Sequence, residues 1–483
     1  MLDSLQTTKR ANYWLIGITL PLVALGVAFE QWYAFLIPPA LFVVWLTLYR
    51  LDWAMWFVVL ATPLSVTLQD LTGGSGLSVP TEPMLVLITF ITLVKMFFFE
   101  EYDKRILRHP ISIAIYLYLA WMGLTSITSE LPLVSLKQWV SRIWFVVPYY
   151  FVLAHLFLKN DRNKEIFLWL FLVPLIIATI YTLYVHSQYG FTKKTSTWVM
   201  FPVFKEHTSY GAVLAMFYPA ALYLAFRKSS WGINAVAILL LVILTVATVL
   251  SYTRAAWLSL VGAGLVYMVY VLKLSRTQVW SLTFLALLIA GLNYSYIASK
   301  FERNRTDSSD NLNEHVASVT NVSTDASNLE RINRWNSALR MFHDRPLLGH
   351  GPGTYMFLYA PFQKPSEKTI ISTNAGNRGN AHSEYLGPMA ESGILGLITL
   401  LYIIYQVVLN AIISYRHLPT IRHQGLLRVA FLGLITYYLH GFLNNFLDMD
   451  KASAPFWGFT AMIAVLSIRS KTKKTQSSIT NMK

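Results

Sequence analysis

The sequence predicts an all-α polytopic membrane protein with about 12–14 transmembrane helices, and two observations lead to this fold class. Of the 483 residues, 55% are hydrophobic and only 13% are charged, whereas about 25% of the residues in an average soluble domain are charged. Apolar runs of about 17–22 residues, long enough for a helix to cross a bilayer, recur along almost the whole chain. An ordinary soluble enzyme with polar-surfaced domains is therefore excluded.

Two further features of the composition limit the kinds of site and partner that the protein can have. The chain has no cysteine, which excludes disulfides, thiolate metal sites and a cysteine nucleophile. Its formal charge is +15, but an excess of Lys and Arg in a membrane protein marks cytoplasmic loops next to anionic lipid. The basic balance therefore predicts membrane lipid as a partner and does not indicate nucleic acid.

About 14 candidate spans follow one another along the chain. Polar residues interrupt the third, sixth and thirteenth, so one of these could be re-entrant or interfacial, and the count is about 12–14. Lys9 and Arg10 precede the first span without a small-residue cleavage site after it, so we expect an uncleaved helix. In order, the spans are centred on residues 12–28, 32–48, 53–68, 83–99, 111–127, 139–158, 166–187, 207–226, 232–251, 254–272, 279–297, 383–413, 424–441 and 454–469.

Loops rich in Lys and Arg alternate along the chain with loops that are poor in them, and this asymmetry predicts the orientation of the protein in the membrane. With the N-terminus in the cytoplasm, the basic-rich loops and the C-terminal tail all fall inside, and the one long loop, 298–381, falls outside. We therefore expect both termini in the cytoplasm. The basic residues assigned to the inside are Arg50, Lys104, Arg105, Arg108, Lys159, Arg162, Lys164, Arg227, Lys228, Lys273, Arg276, Arg416, Arg422, Arg469, Lys471, Lys473 and Lys474.

This topology divides the chain into four parts. Residues 1–297 are expected to form about 11 transmembrane helices, and 382–469 about three more. Between them lies the outer loop 298–381, of about 84 residues, which is too small for an independent domain and is expected to pack onto the helix ends. Residues 470–483 form a basic cytoplasmic tail.

The long loop is polar in its first half and patterned in its second. Apolar residues recur there at helical spacing and stop before Pro346, which predicts an amphipathic helix lying on the membrane or on the transmembrane ends. The following GHGPGT at 349–354 predicts a tight turn; it lacks the strand and the Gly-Lys-Ser/Thr ending of a phosphate-binding loop. The apolar residues are Ile332, Trp335, Leu339 and Phe342.

Cations begin several spans on the outer side, where the positive-inside bias should keep them scarce. Each is a functional candidate because intramembrane charge is costly, with snorkelling to the interface as the alternative. Together they predict a bound anion, and a diphosphate fits because guanidinium groups bind phosphate oxygens bidentately. Arg254 is the first choice because its hairpin of about two residues leaves it little room to reach water. The others are Lys137 and Arg142 in the sixth span, and Lys205 with His207 at the eighth.

His382 begins the twelfth predicted span and is the candidate general base. The positive end of the helix dipole disfavours imidazolium, so we expect a ring that is neutral near pH 7 and able to accept a proton. A helix-capping or water-facing histidine is the alternative. Glu384 and Glu391 lie almost opposite His382 at about 100° per residue, so neither is expected to orient its ring. Glu391 is expected to pair with a neighbouring helix from a small-residue face.

A second polar group lies near the outer end of the thirteenth span. His440 and Asp448 are, with His207, candidate contacts to an acceptor or a sugar, and His440 fits equally well as a polar helix-end residue. Asp448 and Asp450 also form the D-x-D pattern by which many soluble glycosyltransferases hold a metal on a nucleotide sugar. Because nucleotide sugars are absent outside the cytoplasm, we expect no metal here.

Four segments resemble the O-antigen ligase and polymerase superfamily. NAHSEYLGPMAESGILGLI is similar to its His motif, in which a His opens a transmembrane helix and a Glu-x-Gly-x-x-Gly-like stretch follows. PLLGHGPGTY resembles its glycine-rich segment, SYTRAAWLSL its Arg-containing helix start, and FKEHTSYGAVLA the polar start of an earlier span. The likeness covers most of the topology, and its motifs lie mainly in residues 205–400.

The resemblance implies a metal-independent glycosyltransferase with a GT-C-like fold and no cofactor, in the bacterial inner membrane with its active site facing the periplasm. The donor would be a glycan on undecaprenyl diphosphate, and the acceptor the lipid A core or a growing glycan. We hypothesise that Arg254 and Arg142 stabilise the diphosphate, with Lys137 or Lys205 assisting, and that His382 is the general base. Direct displacement would invert the anomeric centre.

Three other functions remain as alternatives to ligation of O-antigen onto the lipid A core. A polysaccharide polymerase of the same superfamily is the nearest of them. A lipid-linked oligosaccharide flippase can also have about 14 spans and a cationic cavity, but transporters are usually built from two similar halves with short loops. The single asymmetric loop and the lack of an internal repeat favour an enzyme. A purely structural membrane protein would not need the outer cations.

Overall fold

The computed structural model describes residues 37–68, 76–99, 102–272, 326–369 and 379–480, and also the single residues 17, 21, 35, 278 and 372. These residues are mostly helical; the strands Val66–Thr67 and Ser78–Val79 form one short antiparallel pair. The long helices are α1 Ile37–Tyr49, α2 Leu51–Ala61, α3 Thr81–Phe98, α4 Pro110–Ile127, α5 Pro132–Lys159, α6 Arg162–Ser187, α7 His207–Phe226, α8 Trp231–Leu250, α9 Arg254–Val271, α10 Ala326–Asp344, α11 Leu386–Tyr415, α12 Ile421–His440 and α13 Asp450–Thr480.

The predicted all-α membrane fold is confirmed. Within the described residues, eight helices are long and apolar enough to cross a membrane: α3 to α8, α11 and the Asp450–Lys471 part of α13. The helices α1 and α2 and the Arg254–Val269 part of α9 are apolar but shorter. The helix α12 is of transmembrane length, with 20 residues that include Arg422 and Arg428. Each helix coincides with a predicted span. The predicted spans at 12–28 and 279–297 lie almost wholly outside the described residues.

The C-terminal helix α13 forms the centre of the bundle. Its residues 450–468 are all buried, and the helix packs on α5, α11 and α12. Small residues permit this close approach: a Cβ on Gly458 would lie 2.5 Å from the ring of Phe167 on α6. The interior position of α13 is therefore a consequence of its small residues, because apolarity alone does not distinguish it from the outer helices.

Charged residues from several loops meet at one end of the bundle. Asp161 binds Lys164 at 2.6 Å and Arg469 at 3.0 Å, and Glu165 pairs with Arg227 and Arg422. All four cations come from loops or tail segments that the basic-residue pattern assigns to a single side of the membrane. The candidate site residues lie at the opposite end, where α7, α9 and α11 begin.

The long loop packs on α11 through its amphipathic helix α10, which the apolar spacing predicted. Ala338 and Met341 of α10 form a small core with Ala390 of α11 and with two stacked tyrosines, Tyr355 and Tyr359. The loop is thus fixed to the end of the bundle that carries the candidate site.

A break in α11 receives the glycine-rich turn of the loop. Gly393 has a φ of 68° inside the helix, and backbone groups freed by this break pair with the loop. His350 N donates to Ala390 O (3.2 Å), Gly351 N donates to Glu391 O (2.7 Å), and Ile394 N donates to Pro346 O (2.9 Å). The tight turn at 349–354 is confirmed, with positive φ at Gly349, Gly351 and Gly353.

Candidate functional site

His382 lies in the short connection between the long loop and α11, in a backbone conformation that side chains rarely adopt. Its φ is 46°, in the left-handed region that costs a non-glycine residue about 1–3 kcal/mol. Two hydrogen bonds hold the backbone: His382 N donates to Asn380 Oδ1 (3.1 Å) and Trp335 Nε1 of α10 donates to His382 O (3.4 Å). The helix begins only at Leu386. The prediction that His382 opens the helix is therefore wrong by four residues, and the reason given for its neutral ring must change.

Burial, with nearby arginines, keeps the His382 ring neutral. The pKa of His382 is lowered to about 3, mainly by burial and in addition by the charges of Arg331 and Arg334 on α10, while Glu330 and a hydrogen bond to Asn444 act in the opposite direction. The neutral imidazole was predicted, but its cause is desolvation together with two cations. The helix dipole is a smaller contribution at this distance from Leu386.

A polar chain connects His382 to the start of α9. Asn444 hydrogen-bonds His382 and also contacts His440, with 3.1 Å between Asn444 Nδ2 and His440 Nε2. The His440 ring in turn lies against the backbone of Ala255, the second residue of α9. Arg254 begins this helix, after the three-residue link from α8. The structure thus brings His382, His440 and the start of the Arg254 helix together.

His207 lies next to the same turn. Thr253 Oγ1, immediately before Arg254, donates to His207 O at 2.8 Å. Glu206, which precedes His207, has its pKa raised by burial, while Thr208, Lys205 and Arg331 act to lower it. Arg331 therefore faces both His382 and the start of α7.

Arg142 and Asp448 form a second group on the other side of the 380–384 connection. Arg142 is buried, with Nη2 donating to Asp448 Oδ1 (2.7 Å) and Nη1 to Leu447 O (2.9 Å). Gln138 also donates to Asp448, at 2.6 Å. Glu384 accepts hydrogen bonds from the Tyr437 hydroxyl and from the backbone N–H groups of Phe446 and Leu447. This arrangement agrees with the expectation that Glu384 does not orient His382.

A cavity of about 130 Å³ opens against this second group. Aromatic rings and polar side chains both line it, and Ala381, the neighbour of His382, forms part of its wall. Among the residues that the structure describes, none hydrogen-bonds the buried Asn445 Oδ1. The aromatic and polar residues that line the cavity include Tyr118, Trp121, Tyr355, Gln138, Arg142, Glu384, Glu391, Asn445 and Asp448.

Of the remaining residues that the sequence predicted for the site, some are exposed and others have structural partners. Lys137 and Lys205 are exposed. Glu391 binds the backbone N–H of Tyr355 (3.0 Å) in the long loop, so its predicted pairing to a neighbouring helix is wrong. The two carboxylates of the D-x-D pattern have different partners: Asp448 binds Arg142, whereas Asp450 is buried and accepts hydrogen bonds from Ser65 and Thr81, both at 2.6 Å.

Arg331 and Arg334 are the site residues that the sequence interpretation missed. Arg334 is fixed by Glu330 (2.8 Å) and lies over the ring of Tyr359 (4.9 Å), while Arg331 acts on His382 and His440. A signal was present, since two arginines three residues apart share a face of the predicted amphipathic helix. The sequence could not indicate which surface that face would meet.

Comparison with known proteins identifies one family. Residues 239–401 match the family model of O-antigen ligase, about one third of the chain. The matched segment runs from α8 to α11 and includes Arg254, Arg331 and His382. This match supports the predicted superfamily, and the family implies a glycosyltransferase-like enzyme of ligase or polymerase type. No curated protein matches the chain.

Proposed function

Because residues 239–401 match the family model of O-antigen ligase, we propose that the chain is a member of that superfamily and that it transfers a glycan from undecaprenyl diphosphate to an acceptor hydroxyl. The reaction takes place at the periplasmic face of the bacterial inner membrane. Ligation of O-antigen to the lipid A core is the first assignment, and polymerisation of a polysaccharide is the alternative within the same superfamily.

One observation carries the proposal: a neutral, partly buried histidine lies beside arginines at the end of the bundle where α9 begins. The pKa of His382 is about 3, because of burial and of Arg331 and Arg334. His440 connects it, through Asn444, to the backbone beside Arg254. Transfer from a lipid diphosphate needs both a proton acceptor and cations, and this arrangement supplies them together.

The reaction uses the histidine as proton acceptor and the arginines as cations that stabilise the leaving diphosphate. The acceptor oxygen attacks the anomeric carbon, the bond from that carbon to the diphosphate oxygen breaks, and its electron pair leaves with the diphosphate. The hydroxyl proton passes to His382. One ring nitrogen of His382 is engaged by Asn444, so the other is the one that accepts the proton. A single displacement inverts the anomeric centre.

The low pKa of His382 fits a general base whose proton affinity increases when the diphosphate donor binds. A group with a pKa near 3 is a weak base at neutral pH. Arg331 and Arg334 contribute to that low value, and a diphosphate bound beside them would offset their charge. Donor binding therefore raises the pKa of His382 and makes it a better proton acceptor when the donor is present.

The cations have different roles in this scheme. We assign the diphosphate to Arg254 and Arg331, which lie on the His382 side. Arg142 forms an ion pair with Asp448 at 2.7 Å. We assign this pair to the wall of a sugar subsite in the 130 Å³ cavity. Aromatic rings and amide or carboxylate groups in this cavity suit a pyranose. The exposed Lys137 and Lys205 would attract the anionic donor from a distance.

The experiment that tests the function is deletion of the gene, followed by gel analysis of the surface glycan. Loss of all O-chain, with accumulation of lipid-linked polymer, indicates a ligase. A single repeat remaining on the core indicates a polymerase. An unchanged glycan pattern would overturn the proposal in both forms.

A further inference from the structure

Arg428 lies inside a membrane helix, at the end of the bundle opposite His382. It is seven residues past the first residue of α12, about 10 Å along the helix axis. It is partly buried, and in the described part of the chain its side chain makes no hydrogen bond and no ion pair. An arginine at this depth is costly unless it finds a partner or reaches the interface.

Two cavities flank this arginine. One, of about 1060 Å³, lies between α7, α9 and α12, and the other, of about 700 Å³, lies between α9, α11 and α12. Tyr267, Arg428 and Leu432 line both. Their remaining walls are mainly apolar side chains such as Leu222, Leu260 and Phe431. Arg428 thus stands between two apolar grooves, each large enough for an acyl chain.

The rim of the larger cavity carries an excess of positive charge. Arg227, Lys228 and Arg422 line it with Arg428, against one carboxylate, Glu165. That carboxylate is already shared between Arg227 and Arg422. Lys228 is exposed, so it and Arg428 are the cations whose charge Glu165 does not offset directly. The cavity is complementary to an anion that carries apolar chains.

We propose that the two grooves bind an anionic diacyl phospholipid, with its phosphate on Arg428 and Lys228 and one acyl chain in each groove. Basic pockets between transmembrane helices are a known way of binding anionic lipid headgroups. The site lies at the end where the ion pairs of Asp161 and Glu165 are found, and it is separate from the His382 group. It does not depend on the glycan-transfer function.

The first test fills the groove without changing its charge. Gly264 lines the larger cavity, and a Cβ there would have no atom within 4 Å. Gly264→Leu therefore places a side chain in the groove and also raises helix propensity. Gly232, on α8, has equally open space and does not line either cavity, so Gly232→Leu is the matched control.

The second test removes the central cation. Arg428→Gln is compared with Arg162→Gln, which removes an exposed arginine at the same end. The purified full chain is stripped of lipid in neutral detergent and titrated with phosphatidylglycerol or phosphatidylcholine, with bound lipid counted by native mass spectrometry. Inorganic phosphate and polyprenyl phosphate are titrated in parallel.

The proposal predicts that wild type and both controls prefer phosphatidylglycerol, and that Gly264→Leu and Arg428→Gln bind it about tenfold more weakly. Equal binding by all five proteins would reduce Arg428 to a snorkelling side chain and overturn the site. A preference for polyprenyl phosphate, or a response to inorganic phosphate alone, would also overturn it, because the occupant would not be a diacyl lipid.

Discussion

The His382 backbone has a strained, positive φ, and the neighbours of His382 come from distant parts of the sequence. The φ of 46° is held by contacts to Asn380 and Trp335. The sequence motif pointed to His382, but Arg331 and Arg334 lie about 50 residues earlier in the chain. Their approach depends on how α10 packs, so the cause of the low pKa could not be obtained from local sequence.

The depressed pKa of His382 predicts a pH dependence of stability. The unfolded ring binds a proton below about pH 6.5, whereas the folded ring stays neutral down to a pKa of about 3. The unfolded state therefore gains protons first, and stability falls as pH drops from 6.5 towards 3. At pH 5, relative to pH 7, this contribution is a loss of about 2 kcal/mol, at 1.36 kcal/mol for each pKa unit.

This dependence is measured by unfolding in detergent at pH 7 and pH 5. His382→Gln cannot take up the proton and should lose less stability on acidification than wild type. The exposed His417 provides the control, and His417→Gln should behave as wild type. If all three proteins lose the same stability, His382 does not titrate as its surroundings imply.

Arg254→Lys tests whether the start of α9 holds a phosphate group. A lysine keeps the charge but cannot form two parallel hydrogen bonds, so transfer should fall at least about tenfold at equal protein level. Lys205→Gln, at an exposed cation nearby, should keep more than half of the activity. The measurement is initial transfer rate in purified protein. Full activity in the Arg254→Lys protein would reduce this residue to a topological anchor.

The break in α11 shows what can and cannot be obtained from the pattern of one helix. The glycine-rich sequence predicted a turn at 349–354, and three positive φ values confirm it. The stretch from Glu391 to Gly396 instead suggested a face for helix packing. The break at Gly393 exists because loop backbone groups replace the missing helical hydrogen bonds at Ala390, Glu391 and Ile394, and only the folded loop provides those partners.

Gly349→Ala tests this docking of the loop on α11. Gly349 has a φ of 68°, and a Cβ there would lie 2.3 Å from the backbone carbon of Glu391. The backbone strain alone costs about 1–3 kcal/mol, and the clash adds to it. We expect a lower thermal unfolding midpoint and faster proteolysis of the loop. Gly232→Ala, in open helical space, should be neutral or slightly stabilising, and equal behaviour of the two variants would show that the turn is not docked as described.

For the whole chain, the order of the helices was predictable and their arrangement was not. Apolar runs located every described long helix except the amphipathic α10, because crossing a bilayer requires about 20 apolar residues. The central position of α13 depends on small residues such as Gly458 fitting against Phe167, a relation between distant segments. The same applies to the site, which combines the starts of α7 and α9 with α10 and the 380–384 connection.

The orientation in the membrane is tested with fused reporters. Basic loops meet at one end of the bundle through Asp161 and Glu165, and the positive-inside bias assigns that end to the cytoplasm. A reporter active only outside the cytoplasm should be active when inserted within residues 305–325 and inactive when fused after Lys474. The reverse pattern would put the His382 group in the cytoplasm and remove the basis for a periplasmic donor.

The most direct test of the account measures glycan transfer and donor binding in the same purified protein. With a defined lipid-diphosphate donor, His382→Ala should transfer about 10²–10⁴-fold more slowly, the usual effect of losing a general base, while binding the donor as wild type does, because the arginines are intact. His382→Gln should not restore transfer, since an amide cannot take up a proton at neutral pH. Near wild-type transfer by the Ala protein would contradict the account, and a parallel collapse of donor binding would move His382 from the base to the diphosphate site.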